Sequence, residues 1–244
     1  MATYRLDIAY HGGQFNGWAI QPGVRTVQGE LEEALGQLFG ERIGLTAAGR
    51  TDAGVHASAQ VASFATLRDP PDTLGLALNS LTGPDLAILG AGRAPDGFDA
   101  RRDARSRRYR YRIELGLPSS PFERGRALNW RHRFERELLT ACAEALVGTH
   151  DFTAFTPTDT EHVHFERRVL AADWSDESER IVKLEIEADA FLRSMVRVIV
   201  GTMLEVGSGR RSLADFRSHL DGAPRESAGD TAAAHGLYLI DVTY

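Results

Sequence analysis

Residues 49–56 read Gly-Arg-Thr-Asp-Ala-Gly-Val-His and set one carboxylate, Asp52, in a short glycine-bounded turn behind a strand-like segment. Glycine lets backbone approach a ligand closely, and residues that do chemistry concentrate on loops held by rigid elements. Asp52 is therefore the leading candidate for an active-site carboxylate. If Arg50 to Asp52 is still extended, residues two apart project to one side, and the Arg50 guanidinium reaches a phosphate beside whatever the carboxylate attacks. The alternative is a purely local Asx-type turn, since Asp and Gly are common turn residues.

A second segment, Arg107-Arg108-Tyr109-Arg110-Tyr111-Arg112, alternates with strand period, placing Tyr109 and Tyr111 on one face and Arg108, Arg110 and Arg112 on the other. Rings beside guanidinium groups suit RNA, whose unstacked bases lie on aromatic faces while arginines hold phosphates. The competing reading makes both tyrosines core and the arginines a solvated face. A third segment, residues 191–201, embeds Arg197 among apolar side chains. A buried guanidinium left unpaired costs on the order of 3–5 kcal/mol, so a carboxylate or phosphate should lie against it unless it snorkels to water.

Charge and composition narrow the function classes. The net charge of −6 argues against indiscriminate nucleic-acid binding, yet twelve arginines fall between Arg101 and Arg136 while much of the acid lies elsewhere, as from Asp173 to Glu187. A local basic stripe on an acidic chain suits selective binding. Lys183 is the sole lysine, so cationic contacts are arginine contacts, able to fork onto phosphates and stack on bases. One cysteine, Cys142, allows no internal disulfide and no cysteine cage for a metal. The histidines show no metal-ligand spacing, and no phosphate-binding glycine loop, serine elbow or dinucleotide fingerprint occurs. The N-terminus lacks a signal-peptide pattern, and the most apolar run, residues 191–206, is broken by Arg193, Arg197 and Glu205. A cytoplasmic protein with no membrane span is expected.

The elements that must position these residues follow from periodicity. Strands are expected at Tyr4 to Tyr10, Arg42 to Ala48, Gln60 to Ala65 and Asp85 to Gly90, with helices at Val27 to Phe39 and Thr73 to Asn79. The pattern then restarts, with strands at Arg108 to Leu115, Arg168 to Ser175, Arg180 to Ala188 and Leu237 to Thr243. Helices are expected at Glu135 to Val147, Phe191 to Val206 and Ser212 to Leu220, and His150-Asp151 reads as opening a loop. This order gives an α+β fold of two similar halves, residues 1–105 with the Asp52 turn and 106–244 with the Tyr/Arg strand and the Arg197 helix, around mixed, mainly antiparallel sheet.

Taken together, the chain resembles the TruA family of tRNA pseudouridine synthases along nearly its whole length. The carriers are GRTDAGVH at 49–56 followed by Gln60-Val61 and Phe64, RRYRY at 107–111, Gly17-Trp18, Thr26-Val27-Gln28-Gly29, Phe98-Asp99-Ala100-Arg101, His150-Asp151-Phe152, Met195-Val196-Arg197 and Ala234 to Leu239. Departures are His11-Gly12-Gly13 for Asp-Gly-Thr, Ala19 for glutamine, Thr156 for arginine, Asp189 and Val198 for asparagines, and Ala233 for proline. The resemblance implies the pseudouridine synthase fold with a central cleft, a homodimer with no metal or organic cofactor, and isomerisation of uridine at positions 38, 39 and 40 of the tRNA anticodon stem-loop. It also implies that Asp52 is the catalytic nucleophile, that Arg197 pairs with it, that Arg50 holds the flipped nucleotide and that Tyr109 packs against the uracil. Arg101, Arg107, Arg108 and Arg110 are the expected contacts to RNA backbone. Whether Asp52 attacks the sugar, adds to the base or removes a sugar proton stays open at this level. So do two rival classes, a noncatalytic RNA-binding module and a glycoside hydrolase, although no second carboxylate for the latter is evident.

Overall fold

The structure is a computed structural model and describes residues 1–160 and 162–244. The first strand, β1 (Ala2–Tyr10), alternates buried and half-buried residues, with Leu6, Ile8 and Tyr10 turned inward. Helix α1 (Val27–Phe39) starts where the Thr26 side chain accepts from the Gly29 amide and stops at Gly40 in the left-handed region, burying Val27, Leu31, Ala34, Leu35 and Phe39. The chain continues through β2 (Thr46–Ala47), β3 (His56–Thr66), α2 (Leu74–Leu81) and β4 (Leu86–Arg93). The second stretch holds β5 (Ser106–Leu115), β6 (Leu128–Trp130), α3 (Arg136–Leu146), β7 (Gly148–Asp151), β8 (Glu166–Asp176), β9 (Ile181–Ala188), α4 (Met195–Gly207) and α5 (Leu213–Ser218), before β10 (Leu237–Thr243) ends the chain.

Two compact units result, one of residues 1–105 with 238–244 and one of residues 106–237. In the first, β1 lies between β3 and β4 and is antiparallel to both, β2 pairs with β3, and the chain end returns so that Tyr238 and Leu239 of β10 pair in parallel with His56 and Ala57 of β3. In the second, β9 is antiparallel to β5 and to β8, β7 adds to β8, and β6 runs parallel to β5. The sheets are thus mixed and mainly antiparallel, and with their helices they make the α+β architecture expected from the pattern. Helix α4 is the most enclosed helix, with Met195, Val198, Ile199, Val200, Met203 and Val206 fully buried.

Four local readings change. Residues 42–48 form a strand only at Thr46–Ala47. His150 and Asp151 lie in β7, where they pair with Arg167 and Glu166, rather than opening a loop. The strand at Leu128–Trp130 has no periodic signature and exists because β5 offers it a partner edge. Helix α4 begins at Met195 and not at Phe191, because Ser194 takes a left-handed conformation with φ of 58°, which a helix cannot propagate.

Candidate active site

The turn that carries Asp52 is built by its neighbours' backbone. Thr51 C=O accepts from the Trp18 amide at 3.0 Å, the Gly54 amide donates to Phe15 C=O at 3.3 Å, and the Val55 amide donates to Asp52 C=O at 3.1 Å. From the far side, the Gly12 amide donates to Nδ1 of buried His56 at 3.0 Å. A Cβ on Gly12 would stand 2.0 Å from the Val55 carbonyl oxygen, so this approach admits no side chain. Beneath the turn, the Tyr10 hydroxyl and Thr51 Oγ1 share a hydrogen bond of 2.8 Å, and Gln60 Nε2 donates to Gly49 C=O at 2.7 Å. The register of β1 against β3 shifts between Ile8 and Tyr10, a bulge that aims these side chains at the turn. Burial pushes the Tyr10 phenol up to about 12, outweighing the hydrogen bonds to Thr51 and Gln60 that lower it, so it serves as a neutral strut. Asp52 itself is half-buried and Arg50 is exposed. The result is a fixed carboxylate at the rim of a rigid floor.

In the second unit, Tyr109 is 7% exposed and packs edge-to-face on Phe191, ring centroids 4.9 Å apart. Tyr111 is fully buried, donates its hydroxyl to Ala233 C=O at 2.8 Å, and is held neutral far above neutral pH mainly by burial. Of the two readings left open for this face, the core one holds for Tyr111, and Tyr109 offers only a narrow surface. Arg197 is half-buried near the start of α4. Its Nε donates to Ala232 C=O at 2.8 Å while its own C=O accepts from the Ala232 amide at 3.1 Å, so residues 230–232 clamp both side chain and backbone. Gly201, one turn on, makes the clamp feasible, since a Cβ there would meet Asp230 C=O at 1.8 Å.

The arginine stripe is paired rather than open. Register places Arg108 opposite Glu187 and Arg110 opposite Glu185 on β9, and both form ion pairs, at 2.6 and 2.7 Å. Arg112 is held between Glu123 and Glu177. Hydrogen bonds from Ser106 and then Arg108 hold the Glu187 carboxyl below its ordinary range. Arg107 is buried, its guanidinium donating to Asp189 C=O at 2.9 Å, whereas Arg101 is exposed on a turn whose amides are capped by Asp99. The acids that composition assigned to a separate region are the cross-strand partners of the stripe.

Residues that sequence reasoning passed over include Tyr10 and Phe15, which hold the Asp52 turn, and, in the second unit, Ala232, which holds Arg197. Gln60 and Trp18 were visible as motif members, without a role. Of the departures, Thr156 is buried and donates to Arg193 C=O at 3.1 Å, bracing the turn before α4, and His11 packs against His56 with ring centroids 4.4 Å apart. Among the described residues no cluster of His, Cys, Asp or Glu could hold a metal ion, and no helix is long and apolar enough to cross a membrane.

Comparison with known proteins converges on one family. A family model described as tRNA pseudouridine synthase matches residues 142–244. The tRNA pseudouridine synthase A of Bacillus subtilis is 41% identical over 243 residues, spanning 98% of each chain. That of Frankia casuarinae is 43% identical and covers 100% of this chain and 90% of its own, and that of Myxococcus xanthus is 38% identical with 100% and 92% covered.

Proposed function

Because this chain belongs to the tRNA pseudouridine synthase A family, enzymes that isomerise uridine in tRNA, we propose that it forms pseudouridine at positions 38, 39 and 40 of the anticodon stem-loop. The observation that carries the reading is the Asp52 turn, a half-buried carboxylate locked by backbone hydrogen bonds from Trp18 and to Phe15. Preorganised position of this kind is what a nucleophile needs to meet one atom of a flipped nucleotide.

The reaction breaks the bond between the ribose anomeric carbon and uracil nitrogen 1, turns the base, and rejoins it through carbon 5. The proton on carbon 5 is lost and nitrogen 1 gains one, so no redox change and no energy input are required. A stacked uridine is inaccessible, and the nucleotide must leave the stem before reaction. Asp52 acts as the carboxylate, and Arg197 pairs with it, favouring its charged form and fixing its direction. Arg50, exposed beside the turn, holds the opened backbone. Tyr109, rigid against Phe191, is the wall that retains the detached base. Arg101, exposed on its turn, contributes a backbone contact, with Arg107, Arg108 and Arg110 contributing from the β5 strand. The acting form is a homodimer.

The test is nucleotide-resolved mapping of pseudouridine in unmodified tRNA treated with the purified protein. Product confined to positions 38, 39 and 40 is expected. Product elsewhere in the tRNA, with those three untouched, overturns the proposed target.

A further inference from the structure

The arginines best placed to take an unpaired anion are not those of the β5 stripe. Arg108, Arg110 and Arg112 each face a carboxylate. Beyond the end of β5, residues 130–134 and Arg136 line a cavity of about 350 Å³ together with Leu115 and Gly116. Arg131, His132 and Arg133 are exposed there, and neither Arg131 nor Arg133 has a carboxylate within ion-pairing distance among the described residues. Arg131 has only a long contact, 3.4 Å, to the neutral Asn129. Arg136 is paired with Asp176 at 2.6 Å and adds shape more than net charge. Glu135 and Glu137 flank the cavity at the start of α3, where the positive end of the helix offsets them in part.

Aromatic groups stand among these cations. The Trp130 ring meets His132 edge-to-face at 5.3 Å, and Trp130 is itself fixed in register opposite Leu115, its C=O accepting from the Gly116 amide at 3.0 Å. A volume of this order takes a small ligand. Unpaired, forked guanidinium groups beside rings suit a phosphate with its attached base better than an aliphatic or cationic partner.

We propose that the groove formed by Trp130, Arg131, His132, Arg133 and Phe134 is a second RNA-binding site, taking a phosphate and its nucleotide from the same tRNA at a distance from the target. Leu115 lies six residues beyond Tyr109 on β5, which at strand rise separates groove and proposed uracil wall by roughly 20 Å. The groove therefore engages RNA outside the reacting nucleotide. This inference rests on the tRNA reading above, and extends it from chemistry at one nucleotide to grip on the rest of the molecule.

The experiment measures binding of full-length tRNA by wild type, Arg131→Glu/Arg133→Glu and the charge-keeping Arg131→Lys/Arg133→Lys, across a salt series. The glutamate pair should raise Kd about tenfold or more near 0.1 M salt and reduce the slope of log K against log salt by about two, one for each lost phosphate contact. The lysine pair should keep most of the affinity and slope. Both side chains are exposed, so an unchanged melting temperature separates the effect from misfolding. Unchanged Kd and slope in the glutamate pair overturn the groove, even where wild type makes pseudouridine. Failure of wild type to make pseudouridine, with the slope still reduced in the variant, overturns the catalytic reading and leaves the groove standing.

Discussion

Around Asp52, position comes from backbone: amides of Trp18, Gly54 and Val55 and the bare Cα of Gly12 fix the turn. On β5, position comes from charge: Arg108, Arg110 and Arg112 are each drawn to a carboxylate of β9 or its neighbouring loops. The two solutions fail differently. A backbone lock tolerates salt and pH but no added atom at its contacts, whereas a charge ladder tolerates small steric change and yields to acid and salt.

The sharpest break in that comparison should come from Gly12→Ala. Its Cβ would meet Val55 C=O, and with backbone on both sides the clash costs about 1–3 kcal/mol or more, lowering the melting temperature by roughly 2–10 °C. Pseudouridine formation at a temperature where the variant is folded should fall at least about tenfold, because the Asp52 turn must shift. Gly92→Ala is the control, since nothing lies within 4 Å of its added carbon. If the two variants behave alike, the turn is not locked by close approach.

A smaller effect is expected from Tyr10→Phe, which keeps the ring and removes the hydroxyl bonded to Thr51 and Gln60. The loss should be about 1 kcal/mol of stability, read by denaturant midpoint, because the Thr51 hydroxyl is left buried with one partner fewer. Activity should fall less than in Gly12→Ala and keep its pH dependence, since a phenol pushed up to about 12 is no base near neutrality. A changed pH profile would instead make Tyr10 a proton carrier.

The smallest effect belongs to the charge ladder. The Ser106 hydroxyl and Arg108 hold the Glu187 carboxyl low, so its folded value lies beneath its unfolded one, and the stability it contributes is present above the ordinary glutamate range and lost as pH falls through the folded value. Arg108 is 43% exposed, and solvent screening limits the contribution to under about 1 kcal/mol. The melting-temperature gap between wild type and Glu187→Gln should therefore be small at pH 7 and close below about pH 4. A gap that persists in acid assigns the stability to packing instead.

What the sequence made legible follows the same division. The Asp52 turn is local, and its glycines and carboxylate announce themselves within eight residues. Helix α1, with its threonine cap and glycine stop, reads equally well. What was lost depends on register: that Glu185 and Glu187 neutralise Arg110 and Arg108 requires knowing that β9 lies against β5. The late start of α4, after Ser194, has no propensity signal, because Phe191 to Arg193 continue the apolar spacing and only the hydrogen bond from Thr156 to Arg193 C=O shows the turn. Tyr111 looked like a stacking platform from alternation alone, and its burial is set by the segment around Ala233 and Gly236 that covers it.

The central claim is that the Asp52 carboxylate performs the chemistry, and the most direct test is pseudouridine yield from unmodified tRNA by wild type and Asp52→Asn, with tRNA binding measured on the same samples. The substitution keeps shape and removes charge. The account predicts that Asp52→Asn binds tRNA within a few-fold of wild type and forms no pseudouridine above background. A variant that still isomerises uridine at a rate near that of wild type would contradict it and move the catalytic carboxylate elsewhere.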